Sequence, residues 1–145
     1  MIINGSLLTI VAVVVVLSGA GYWLYVTAAQ YEGSIQGHRI YAETCAKCHG
    51  VNREGQPDWM RRKADGRLPA PPHDESGHTW HHSDKQLFTI TKFGLQAISP
   101  GYESDMPAFE GVLSDAQVVH VLDYIKRTWP ERAQEYQAAR SKADP

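Results

Sequence analysis

Two cysteines with a histidine directly behind the second, Cys45-Ala46-Lys47-Cys48-His49, constrain this chain more than any other stretch, because its 145 residues contain only those 2 cysteines. Such a C-x-x-C-H run serves three known chemistries. A structural zinc site needs four soft or imidazole ligands, so histidines elsewhere would have to complete it. A thiol redox pair sits in a βαβ pattern and has no use for a histidine in that place. Covalent haem c attachment is the chemistry this spacing marks. The two thiols add to the porphyrin vinyl groups, and His49 supplies an imidazole nitrogen to one face of the iron.

The rest of the chain must then provide a sixth ligand, a helical wrap and an apolar pocket. Met106, in "YESDMPAFEG", stands in a Gly- and Pro-punctuated loop ahead of a helix start. A neutral thioether opposite imidazole suits iron cycling between two oxidation states and raises its potential. Met60 lies in a strongly charged stretch close behind His49 and is the poorer candidate.

Caps and periodicity predict helices throughout and no strand. The first runs from about Ile35 to Gly50 and delivers the cysteines at its C-terminal end. "SDKQ" at Ser83 reads as a capping box opening a second helix, with Leu87, Ile90 and Thr91 inward and Gly94 as its stop. "SDAQ" at Ser114 opens a third, with Val118, Val121, Leu122 and Ile125 on one stripe.

From Leu7 to Val26 no charged residue occurs, over roughly the 20 residues a helix needs to cross a bilayer. Tyr22, Trp23, Tyr25 and Tyr31 gather at its far end, where aromatic rings favour the headgroup level. A cleaved signal peptide competes, with small residues in "VTAAQ". The run lacks the basic start of such a peptide and is longer than its usual apolar region, so a retained anchor is expected. Removing it leaves roughly 110 residues, one small domain of the size that leans on a cofactor, metal or disulfide. With 14 basic and 16 acidic residues and a net charge of -2, nothing suggests a nucleic-acid partner.

The attachment motif, Met106-Pro107 and the terminal "DYIKRTWP" together resemble the class I, single-haem c-type cytochromes over roughly residues 37–130. The resemblance implies an all-α class I cytochrome c fold wrapped around one covalent haem, here preceded by one transmembrane helix. The expected organisation is an anchor over 1–30, a short linker over 31–36, the haem domain over 37–130 and a polar tail over 131–145, solvated or frayed. The resemblance also implies that the first and last helices cross closely, with Gly37 and Tyr41 against Tyr124. A proline carbonyl, from Pro71 or Pro72, is implied to hold the proximal imidazole. Trp80 is expected at the haem edge, its indole N–H within reach of a propionate.

Histidines are the departure from that pattern. His73, His78, His81 and His82 cluster in one segment, readable as a copper or zinc site or as an ordinary polar loop, and one of them or His120 competes with Met106 as distal ligand. The acids around Met106, including Glu103 and Asp105, and the bases Arg61, Arg62, Lys63 and Arg67 suggest two oppositely charged faces.

The functional expectation is a one-electron carrier, not an enzyme, with no small-molecule substrate. A haem peroxidase and a copper-handling protein are the competing classes. Because haem c is attached outside the bacterial cytoplasm, the family likeness implies a single-pass inner-membrane protein with its N-terminus cytoplasmic and its haem domain periplasmic. Its partners would be integral membrane complexes, a cytochrome bc complex as donor and a haem-copper oxidase as acceptor, with a fixed subunit of a dehydrogenase or photosynthetic complex as the alternative.

Overall fold

The computed structural model describes the backbone of residues 5–145 and the side chains of residues 18–145. Among the described residues every regular element is helical. Helix α1 spans Gly5–Ile40 and passes into a π-helical turn, Tyr41–Cys45, and a short α2, Ala46–His49. After a long irregular segment and a 3-10 turn, Thr79–His81, come α3, Asp84–Phe93, α4, Asp115–Lys126, and α5, Glu131–Ala143.

The chain divides into two compact units, Met1–Gly33 and Ser34–Pro145. Much of the expected anchor, Leu7 to Val26, lies outside the residues whose side chains are described. Among the described residues no helix is long and apolar enough to cross a membrane. The short linker expected over 31–36 is corrected: those residues are helical, within α1. No Pro interrupts the segment, and the residues on either side of Gly33 and Ser34 favour or tolerate helix.

In the second unit the core forms where α1, α4 and the turn after α1 meet, with Ile40, Tyr41, Val118, Val121, Ile125 and Trp129 buried. Gly37 decides how closely the helices approach. A Cβ built there would collide with the His120 carbonyl and Tyr124 Cβ on α4, so only hydrogen fits. Tyr41, one turn further on, then lies with its ring centroid 5.5 Å from that of Tyr124, the crossing implied by the family likeness.

Both predicted N-caps form. Ser114 and Gln117 make the complete reciprocal capping box on α4. On α3 only half of it exists. Ser83 accepts from the Gln86 amide, but the Gln86 side chain turns to His82, and the start of α3 is completed from the C-terminus instead. Ser83 Oγ donates to Asp144 at 2.7 Å, and the Asp84 amide donates to Ser141 Oγ at 2.9 Å.

That arrangement corrects the expectation for the tail. Residues 131–143 are helical and docked, not solvated all round: Ala133 and Gln137 are 1% and 2% exposed. The Gln137 amide nitrogen donates to Asp84 Oδ1 at 2.8 Å and Ser141 Oγ at 2.9 Å, with the His82 carbonyl at 3.3 Å. The polar sequence of α5 hid this docking because its apolar area is small and its attachment is by hydrogen bonds.

Two stability outcomes follow. Gly37→Ala should lower the unfolding free energy by about 1–3 kcal/mol through overpacking, measured by chemical denaturation, while Gly19→Ala, with nothing within 4 Å of the new Cβ, should not destabilise. Gln137→Leu should cost about 1 kcal/mol by removing the hydrogen bonds that the buried amide makes to Asp84, Ser141 and the His82 carbonyl; unchanged denaturation midpoints would show that α5 docks by other means.

Candidate functional site

The π turn places the motif. The Ala46 amide reaches back to the Tyr41 carbonyl, one residue more than an α-helix allows, and so rotates the following residues relative to α1. Tyr41 stays on the face that meets α4, whereas Ala46 and His49 turn into the interior. Cys45 is half-buried and Cys48 exposed, both as free thiols. Burial and the neighbouring Cys48 push the Cys45 thiol up to about 11, against Lys47. A reactive redox cysteine works by a lowered thiol pKa, which is the opposite of the direction at Cys45.

His49 is buried, and its Nδ1 lies 2.9 Å from the Pro71 carbonyl oxygen. Burial lowers its pKa, with the Pro71 hydrogen bond opposing, so the imidazole is neutral. Nδ1–H donates to Pro71, which leaves Nε2 as the basic nitrogen, the tautomer a metal ligand requires. Of the two candidate prolines, Pro71 provides the acceptor; the Pro72 carbonyl instead takes Thr79 Oγ1 at 3.3 Å.

The proline pair is gripped by backbone. A Cβ on Gly55 would strike Pro71 and Pro72, and one on Gly77 would strike the Pro72 carbonyl carbon. The Gly55 amide also donates to the His49 carbonyl at 2.8 Å. Glycine is needed at both positions for close approach, and Gly55 also has φ 71°. Sequence reading missed this pair. The available signal was a glycine on either side of "PAPP" in a segment without regular structure.

Tyr41, 1% exposed, donates its hydroxyl to the Gly50 carbonyl at 2.8 Å and closes the motif from below. Burial holds its phenol far above the ordinary value. Arg53 completes this floor, with Nη1 2.8 Å from Tyr124 Oη and the guanidinium 5.6 Å from the Tyr124 ring centroid. Its Nε is buried without a hydrogen-bond partner among the described residues. Arg53 is a second residue that the sequence reading passed over, because nothing local distinguishes it from the surface bases that follow.

The fold gives the histidines of this segment different aromatic and polar neighbours, although His78 and His82 stay edge to face with ring centroids 5.5 Å apart. His73 stacks on His49 with ring centroids 3.9 Å apart, its Nδ1 is 2.8 Å from Thr79 Oγ1, and its carbonyl accepts from Trp129 Nε1 at 2.7 Å. Burial first, then the neighbouring His49, holds it well below the usual imidazole value. His78 stacks on Trp59, and His81 packs on Trp80 and Tyr136. Among the described residues no group of three or more His, Cys, Asp or Glu is placed to hold a metal ion. His120 is bonded to Gln36 through Nδ1.

Met106 is half-buried against the core, as are Cys45 and Trp80, while Met60 is 77% exposed. The Trp80 indole N–H faces the Glu75 carbonyl at 3.4 Å, a long contact that differs from the expected role toward a propionate. The two charged faces are also corrected. Lys63 pairs with Asp105, and Arg67 reaches Asp105 at 2.8 Å and Glu103 at 3.6 Å, so opposite charges meet and cancel locally.

These donors fit an iron porphyrin. A neutral imidazole has its tautomer set by Pro71, two free thiols stand one helical turn apart, a thioether lies against the same core, and the orphaned Arg53 Nε suits an anionic substituent. Comparison with known proteins agrees. The chain is 31% identical over 108 residues to a nitrite reductase from Stutzerimonas stutzeri, a match covering 70% of this chain and 16% of that protein, so the chain spans under a fifth of its length. No solved structure matches. The family described as cytochrome c oxidase, cbb3-type, subunit III matches residues 35–125, and the chain therefore belongs to that family of c-type cytochromes, which carry covalently bound haem c with its iron.

Proposed function

We propose that the protein is a membrane-tethered one-electron carrier that holds haem c through Cys45 and Cys48, with His49 and Met106 as axial ligands. The His49 Nδ1 contact to the Pro71 carbonyl carries this reading, because it leaves a neutral, basic Nε2 on a ring fixed beside both thiols. When bound, haem c supplies a one-electron couple at its iron. The protein's own work is to keep that couple from changing its ligands. Pro71 orients the His49 ring, Tyr41 and Arg53 close the motif, and Met106 would hold the iron together with His49. Held by both side chains, the iron would offer no position to nitrite, peroxide or oxygen, which favours a carrier over an enzyme.

The family description of an oxidase subunit supports a membrane respiratory complex as partner, with a haem-copper oxidase as the proposed acceptor; a cytochrome bc complex is the donor proposed with it. The charge-free run ending in exposed Tyr22, Trp23 and Tyr25 supports a single-pass anchor in a bacterial inner membrane, with the N-terminus cytoplasmic and the haem unit periplasmic.

Haem should stay with the polypeptide through acid-acetone extraction, and Cys45→Ala combined with Cys48→Ala should release it into the solvent. Extraction of haem from the unaltered protein would refute covalent attachment. Met106→Ala should abolish the Met-to-iron charge-transfer band, lower the reduction potential and admit cyanide. The purified protein should show no nitrite turnover; sustained turnover would make it an enzyme. For the tether, oxidase-coupled electron transfer should fall when residues 1–30 are removed behind a cleavable signal, measured at equal total protein. Equal rates would mean that the segment only retains the protein at the membrane.

A further inference from the structure

The residue immediately before Met106 is held by two cations from a distant part of the chain. Asp105 Oδ1 accepts from Arg67 Nη1 at 2.8 Å, and Oδ2 is taken by Lys63 Nζ. Arg67 Nε also lies 3.6 Å from Glu103, and the Arg62 guanidinium sits 5.8 Å from the Tyr102 ring centroid. One face of the segment 102–105 is thus gripped from 62–67.

The gripping loop is itself closed. Lys63 N–H donates to the Arg67 carbonyl at 2.9 Å, Gly66 N–H to the Lys63 carbonyl at 3.0 Å, and Arg62 Nη1 to the Gly66 carbonyl at 2.6 Å. It is rooted beside the proximal histidine. Gln56 is bonded to Ala70 through its amide N–H and through its side-chain oxygen, each at 2.9 Å, and Ala70 precedes the Pro71 that receives His49. The Met106 segment, by contrast, has no helix over 102–106. Its local bonds are the Tyr102 amide to Ser99 and the Met106 amide to Ser104 Oγ, each at 3.1 Å.

We propose that the Lys63–Arg67 turn is an electrostatic clamp that positions Met106 by fixing Asp105, and that it sets how readily Met106 gives way to another axial ligand. The proposal rests on the reading of Met106 as that ligand. An exposed ion pair adds little to global stability, but an irregular segment gains in order from two-point attachment next to its functional residue. A ligand on a loose segment is displaced more easily, since each departure frees more chain. Salt screens exposed pairs, so displacement should become easier as ionic strength rises.

The test uses the full-length holoprotein in mild detergent, titrated with imidazole in the ferric state while the Met-to-iron charge-transfer band is followed. In the unaltered protein apparent imidazole affinity should rise with salt. Asp105→Asn, and separately Lys63→Gln with Arg67→Gln, should bind imidazole on the order of two- to fivefold more tightly at low salt per pair lost and lose most of the salt response. Asp105→Glu should restore it, and Glu110→Gln, a neighbouring exposed acid, should behave as unaltered protein. If Asp105→Asn and the double variant both match the unaltered protein in affinity and salt response, the clamp is refuted while Met106 stands. If the unaltered protein has no such band and Met106→Ala leaves the spectrum unchanged, the axial-ligand reading fails and takes the clamp with it.

Discussion

The contact on which the rest of the domain depends is the crossing of α1 and α4 at Gly37, where missing side-chain atoms let one helix backbone lie against the other. From that contact Tyr41 is fixed over Tyr124, and from Tyr41 the hydroxyl reaches the Gly50 carbonyl. The haem-binding motif therefore hangs from a helix whose position is set by sterics before any cofactor is considered. The π turn converts that position into orientation, since one added residue swings His49 inward while Tyr41 keeps its place on α4.

Two loops attach to this frame by different physics. The proximal loop is held by backbone: Gly55 and Gly77 close on the proline pair, and Pro71 presents a carbonyl that no side-chain substitution can remove directly. The distal segment is held by charge at its surface, through Asp105 to Lys63 and Arg67. A backbone-held proximal side and an ionically fastened distal side suit the proposed carrier, in which His49 and Met106 would have to keep their places through redox cycling.

The C-terminal helix adds a third attachment. It meets the 3-10 turn through Tyr136 on His81 and the start of α3 through Gln137, Ser141 and, just past its end, Asp144, and Trp129 just ahead of it anchors the His73 carbonyl beside the proximal ring. What reads as a polar tail thus braces the segment that packs behind His49.

The sequence by itself determined the local chemistry and the local starts and stops: the C-x-x-C-H motif, the caps at Ser83 and Ser114, the glycine stop at Gly94 and the methionine ahead of α4. Each is written within a few neighbouring residues, because capping and the attachment motif depend on adjacent atoms and a methionine's type is read directly; its role as a ligand belongs to the proposed function. The Gly37 crossing was legible only through the family likeness, since a glycine within a helix has many uses. Tertiary structure alone decided which proline meets His49, that Arg53 and His73 sit against the motif, that the acids near Met106 are neutralised and that α5 docks. In each of these the partners lie far apart in the chain, and a side chain's local neighbours carry no record of which distant backbone or charge will be brought to it when the helices close.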